Sequence, residues 1–164
     1  MKRIKALILI EIIVCLMSFS QSSFAVNVYT PNGTSVPVTI RAEMSTTDYW
    51  IDYNWVVNNF PNAVILRMPT RKYNCHSYAW YSQSTSNLYW MDHPGDDSYW
   101  LDGSYYRSYF QATGNRISYV YGDHSGIVDT NNTFIVSKWG ELCLVKHLYT
   151  YCPYNWSSVR YYVR

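Results

Sequence analysis

The chain has no dominant charge. Its 164 residues carry 13 Lys and Arg against 11 Asp and Glu. Setting aside Lys2, Arg3, Lys5 and Glu11 of the first 25 residues leaves ten of each sign. That balance argues against a nucleic-acid partner and against a basic face for anionic lipid. Metal-ligand spacing is also lacking. There is no Cys-x-x-Cys and no His-Glu-x-x-His, and His76, His93, His124 and His147 are scattered, so neither a metal nor a cofactor is expected. Nor is there an apolar run long enough to span a bilayer. Ala6 to Phe19 is mostly apolar but short, and Glu11 interrupts it. No internal repeat and no long linker is visible.

That apolar stretch instead reads as an export signal over residues 1–25. Lys2, Arg3 and Lys5 give a positive start, and Ser23-Phe24-Ala25 is a small-x-small cleavage site. The mature chain, 26–164, is then one domain, secreted or periplasmic, with no stable membrane insertion after cleavage. Val14 precedes Cys15 where a lipoprotein signal would want a small residue. Cleavage leaves three cysteines, Cys75, Cys143 and Cys152. Cys143 and Cys152 are close enough to form a disulfide across a turn, leaving Cys75 as a free thiol. Aromatics make up 18% of the chain, which suits a small β-rich core with amphipathic rings at its rim, or a surface that stacks on sugars.

Alternation over Val26 to Arg41, with a turn at Pro31-Asn32-Gly33, predicts two strands. Ser45 or Thr46 caps a helix from about Thr47 to Asn59, with Trp50, Ile51, Trp55, Val56 and Val57 near one face. Ala63 to Leu66 reads as a short buried strand. Asn74 is the N-cap of a helix reaching about Ser84, which puts Cys75 in its first turn, where unpaired N–H groups favour a thiolate. Asn87 to Gly114 should be mostly loop, with a short helix around Tyr106 to Ala112. Arg116–Tyr121, His124–Asp129 and Thr133–Trp139 form a meander, with Leu142–Tyr149 as a fourth strand. Helix first and antiparallel sheet afterwards is an α+β arrangement.

The chemistry-bearing residues follow a fixed order. Tyr73-Asn74-Cys75-His76-Ser77-Tyr78-Ala79-Trp80 opens a helix, Gly114-Asn115-Arg116-Ile117 opens a strand, and His124-Ser125-Gly126-Ile127-Val128 opens the next. This order resembles the papain-like cysteine hydrolases of the NlpC and CHAP types, over about Tyr73 to Gly140. Asn115 stands where those families have Asp, and His76-Ser77 replaces their Ser-Gly, as in a divergent branch. The resemblance implies N-terminal helices whose nucleophile helix packs on a C-terminal antiparallel sheet. It also implies amide hydrolysis of peptide or peptidoglycan-like substrates.

In that reading Cys75 is the nucleophile, His124 the base and the Cys75 N–H an oxyanion donor. A tight turn at Asn131-Asn132 pairs residues whose numbers sum to about 263. This puts Ser137 on the strand face of His124 as its orienting partner. His76 is expected to pack or cap, His93 to lie at the surface, and His147 has no firm placement. Two competing functions use the same scaffold. One is a non-catalytic aromatic-rich wall- or glycan-binding module, and the other is a transglutaminase-like acyl transferase.

Overall fold

The computed structural model describes residues 23–164. The export signal expected over residues 1–25 therefore lies mostly outside the described residues, while Phe24 and Ala25 begin the first strand. Strands β1 (Phe24–Tyr29) and β2 (Ser35–Ile40) form a hairpin in the register Val26↔Val38 and Val28↔Val36. Gly33, at φ 90, supplies the left-handed residue of its turn. A two-residue strand, β4 (Tyr89–Trp90), completes this small sheet in the order β1-β2-β4.

Helix α1 (Thr46–Asn59) is capped by Ser45, whose hydroxyl accepts from the Asp48 N–H. Its inward stripe is Tyr49, Asp52, Tyr53 and Val56. Trp50, Ile51, Trp55 and Val57 are exposed, so the expected apolar face is rotated. The i, i+3, i+4, i+7 stripe that packs is built from tyrosines rather than from the more apolar residues beside them.

The large sheet has seven strands. They are β3 (Val64–Arg67), β5 (Tyr106–Ser108), β6 (Arg116–Tyr119), β7 (His124–Val128), β8 (Phe134–Lys138), β9 (Leu144–Leu148) and β10 (Val159–Val163). Their order is β3-β9-β8-β7-β6-β10-β5, all antiparallel. The chain is thus α+β, with few helices and a large antiparallel sheet. Several expectations are corrected here. β3 is an exposed edge strand rather than a buried one. The segment from Tyr106 is strand β5, because β10 offers it a ladder. β10 itself comes from the Val159–Val163 segment, which the sequence pattern left unassigned.

Two cores lie on the two faces of this sheet. Ile117, Tyr119, Val128, Ile135, Trp139 and Val145 pack with Val56 of α1. Trp80, Val36, Met91, Tyr99, Tyr105 and Tyr162 pack on the other side, with partly buried Ile127 against them. Strand residues alternate between faces, so His124, Gly126 and Val128 belong to the α1 face, and Ser125 and Ile127 to the Trp80 face.

The β7–β8 register is Ile127↔Val136 and Val128↔Ile135, as the 263 sum requires. A Cβ on Gly126 would lie 2.5 Å from Ile135 Cγ2 and 3.1 Å from the Ser137 Cβ. That close approach is why glycine stands there.

Cys143 and Cys152 are free and buried, not bridged. The Cys152 thiol is instead directed at the Tyr149 carbonyl, 3.5 Å away, and both cysteines act as small apolar members of the α1-side core. No helix among the described residues is long and apolar enough to cross a membrane.

Candidate active site

The segment before Cys75 is tied down from several directions. Glu43 accepts from Thr70 Oγ1 at 2.7 Å and from the Arg71 N–H at 3.1 Å. Arg71 Nε donates to Glu141 at 2.7 Å. Lys138, fully buried, donates from Nζ to the carbonyls of Thr70, Gly140 and Leu142 at 3.0, 2.7 and 2.5 Å. Burial pushes its amine down to about 7. Three carbonyl acceptors match the three protons of an ammonium, so Lys138 clamps the Thr70 loop to the Gly140–Leu142 turn.

Asn74 acts as the expected cap. Its Oδ1 accepts from the Ser77 N–H at 3.1 Å and from the Met91 N–H at 3.2 Å, and its Nδ2 donates to the Met91 carbonyl at 2.7 Å. One side chain thus starts a helix and fastens it to β4. The helix is shorter than expected. Residues 75 and 76 are α-helical, and α2 (Ser77–Tyr81) winds as a π-turn closed by the Ser82 N–H on the Ser77 carbonyl at 3.0 Å. Single π-turns of this kind are common at functional sites. Trp80 anchors the turn. It is 2% exposed, packs against Tyr99, Trp100, Tyr105 and Tyr162, and donates from Nε1 to Ser125 Oγ at 2.9 Å.

Cys75 is 4% exposed and lines a cavity of about 170 Å³ with His76, Trp90, Asp123 and Tyr154. Beside it opens a larger cavity of about 470 Å³, walled by His76, Asp97, Trp100, Tyr121, His124 and Arg160. His76 borders both. Its Nδ1 lies 3.0 Å from Ser125 Oγ and 3.1 Å from Asp96 Oδ2, and its Nε2 lies 3.2 Å from Asp123 Oδ1. Burial alone would lower the basicity of this ring. Attraction to the neighbouring Cys75 sulfur and hydrogen bonds to Asp123 and Asp96 overcome burial and hold it well above the ordinary imidazole range. His76 is buried, as a packing residue would be, but it borders both cavities and carries three polar partners.

His124 occupies a different environment. Strand alternation turns it to the α1 face, where it stacks on Tyr154 with centroids 3.7 Å apart and meets Tyr119 edge-on. Both ring nitrogens are buried without a hydrogen-bond partner among the described residues. Burial pushes its basicity well below the ordinary range.

Ser137 is on the strand face foreseen for it, but its partner is His147. Their Oγ and Nε2 are 2.7 Å apart, and Trp139 Nε1 donates to the same Oγ at 3.1 Å. His147 Nδ1 donates to the Leu148 carbonyl at 2.7 Å, and burial lowers the ring to about 4. This is a neutral structural cluster, and it holds no bond to His124. His93 is half-exposed, and its Nδ1 is 3.3 Å from Asp96 Oδ1.

His76 and Asp123 thus line the Cys75 cavity, Asp96 and Ser125 are joined to it through the His76 ring, and Ser137 is bonded to His147 and Trp139. Asp96, Asp123 and Ser125 were missed by sequence reasoning. Ser125 was accessible through the period-2 alternation that sets it opposite to His124. The two aspartates sit in turns, where no periodicity assigns a direction. No family model, no curated protein and no solved structure matches the chain.

Proposed function

We propose that this protein is an exported cysteine hydrolase of amide bonds, with Cys75 as nucleophile and His76 as its imidazolium partner. The observation that carries the reading is the His76 ring, held beside Cys75 by Ser125 and two carboxylates at the junction of two cavities. A positive imidazolium next to a sulfur favours its thiolate. The thiolate attacks the amide carbonyl carbon, and the carbonyl electrons move to oxygen. As that tetrahedral species collapses, the C–N bond breaks and His76 gives its proton to the leaving amine. Water then attacks the thioester, losing a proton to His76, and the acid departs as Cys75 is regenerated. An amine in place of water gives acyl transfer by the same steps.

Peptide and peptidoglycan-like amides are the substrate class to test first. The assay follows release of amines from acyl-peptide amides and peptidoglycan fragments by the mature protein. Cys75→Ala should abolish it. Turnover that survives Cys75→Ala would end the hydrolase reading in favour of a binding module.

A second reading keeps His124 as the base, favoured by one observation: its two ring nitrogens lack partners among the described residues. His124→Ala against His76→Gln separates the two, since only the true partner of Cys75 is needed for turnover.

A further inference from the structure

We infer that Asp96 is the positioning residue of this site. It fixes the tautomer and charge of His76 and, through it, the state of Cys75. The inference rests on the cysteine-hydrolase reading only for its catalytic consequence.

Two carboxylates touch the His76 ring, and they are not equivalent. Asp123 is on a turn with its side chain 69% exposed, whereas the Asp96 side chain is 4% exposed. Water and salt screen the first attraction and not the second. Asp96 is also the better held of the two. It lies in a single 3₁₀ turn, Gly95–Asp97, and a Cβ on Gly95 would lie 3.1 Å from Val36 Cγ1 and 3.3 Å from Met91 Cγ. The missing side chain lets this turn press on the core, and that depth brings the next residue under His76. The second Asp96 oxygen is closed off by His93 Nδ1 at 3.3 Å.

The consequence is directional. Asp96 Oδ2 and Ser125 Oγ both face Nδ1. Ser125 Oγ already accepts from Trp80, so a proton on Nδ1 is held by acceptors fixed in the core. The bond made by one ring nitrogen sets the role of the other. Nε2 therefore becomes the nitrogen that exchanges protons. Its carboxylate partner is the solvent-facing Asp123, 3.2 Å away, which a substrate can displace.

The test uses the mature chain with Asp96→Asn and Asp123→Asn. NMR titration of the His76 ring reads charge and tautomer, and the pH profile of Cys75 alkylation by iodoacetamide reads the consequence. Asp96→Asn should lower the His76 midpoint toward the ordinary imidazole value and slow alkylation at neutral pH by about tenfold. Asp123→Asn should do less on both readouts. An unchanged His76 titration in Asp96→Asn, or a larger effect from Asp123→Asn, overturns the inference. Should Asp96→Asn fail to fold, Asp96→Glu keeps the charge but displaces it by one methylene. It should alter the His76 tautomer signature, and an unaltered signature again overturns the inference. An inert Cys75 together with the expected His76 response removes the hydrolase reading and leaves the role of Asp96 supported.

Discussion

Ser137 Oγ lies 2.7 Å from His147 Nε2, in a buried cluster that also takes the Trp139 indole N–H. The hydroxyl bonds both neighbours, and Trp139 Nε1 also reaches His147 Nε2 directly at 3.3 Å. Ser137→Ala therefore acts on stability rather than on chemistry. It should cost about 1 kcal/mol, because it removes the shorter of the two hydrogen bonds to His147 Nε2 and leaves the Trp139 contact, and leave Cys75 reactivity unchanged. Chemical denaturation alongside thiol labelling checks both halves.

The same cluster makes the fold acid-sensitive. His147 is held at about 4, against 6.5 for the free side chain, and His124 is also pushed down. Both groups bind protons more readily when the chain unfolds. The His147 contribution, about 3 kcal/mol, is complete above pH 6.5 and is lost as pH falls toward 4, and His124 acts in the same direction. His76, raised on folding, acts in the opposite sense. Its contribution is complete below 6.5 and is lost as pH rises through its folded value. Thermal melts at pH 7.5 and 4.5 should show a clear loss at the lower pH, and His147→Gln should reduce the difference.

Lys138 clamps Thr70, Gly140 and Leu142 through three carbonyls. Lys138→Met fills the same space and leaves those carbonyls without a donor. The expected cost is about 3 kcal/mol, with faster proteolysis in the loop 68–74 that delivers Cys75. A denaturation midpoint equal to that of the parent would contradict the clamp.

Much of the scaffold was legible in the sequence. The hairpin from Val26, the Ser45 and Asn74 caps, the strands of the meander and the 263 register all depend on local turn chemistry and alternation, which a sequence displays directly. The site was less legible. Cys75 is at a helix start because Asn74 caps it, and that is local. What surrounds the neighbouring His76 ring depends on strand parity and on a loop folded back from residues 95–97, and those are tertiary facts. Glycine stands at 126, between His124 and Val128, because Ile135 and Ser137 of the neighbouring strand take the space a side chain would need. The turn that was to be bridged by Cys143 and Cys152 is packed instead as a core, so spacing alone could not decide the pairing.

All three thiols should therefore be titratable in the purified, denatured and unreduced protein of residues 26–164. In the native protein they should differ. Burial pushes the Cys143 thiol up to about 11 and raises Cys152 as well, and neither lines the Cys75 cavity. Peptide mapping after brief labelling at neutral pH should find the label on Cys75, at least about tenfold ahead of the other two. A recovered Cys143–Cys152 crosslink would contradict the packing described.

The most direct test of the Cys75–His76 pair is the second-order rate of Cys75 alkylation at neutral pH in the parent protein of residues 26–164, in His76→Gln and in His124→Ala, with folding checked by circular dichroism. An ion pair between Cys75 and His76 predicts that His76→Gln slows the reaction by about tenfold or more, and that His124→Ala leaves it within about twofold. A loss confined to His124→Ala, with His76→Gln reacting as the parent does, would contradict the account.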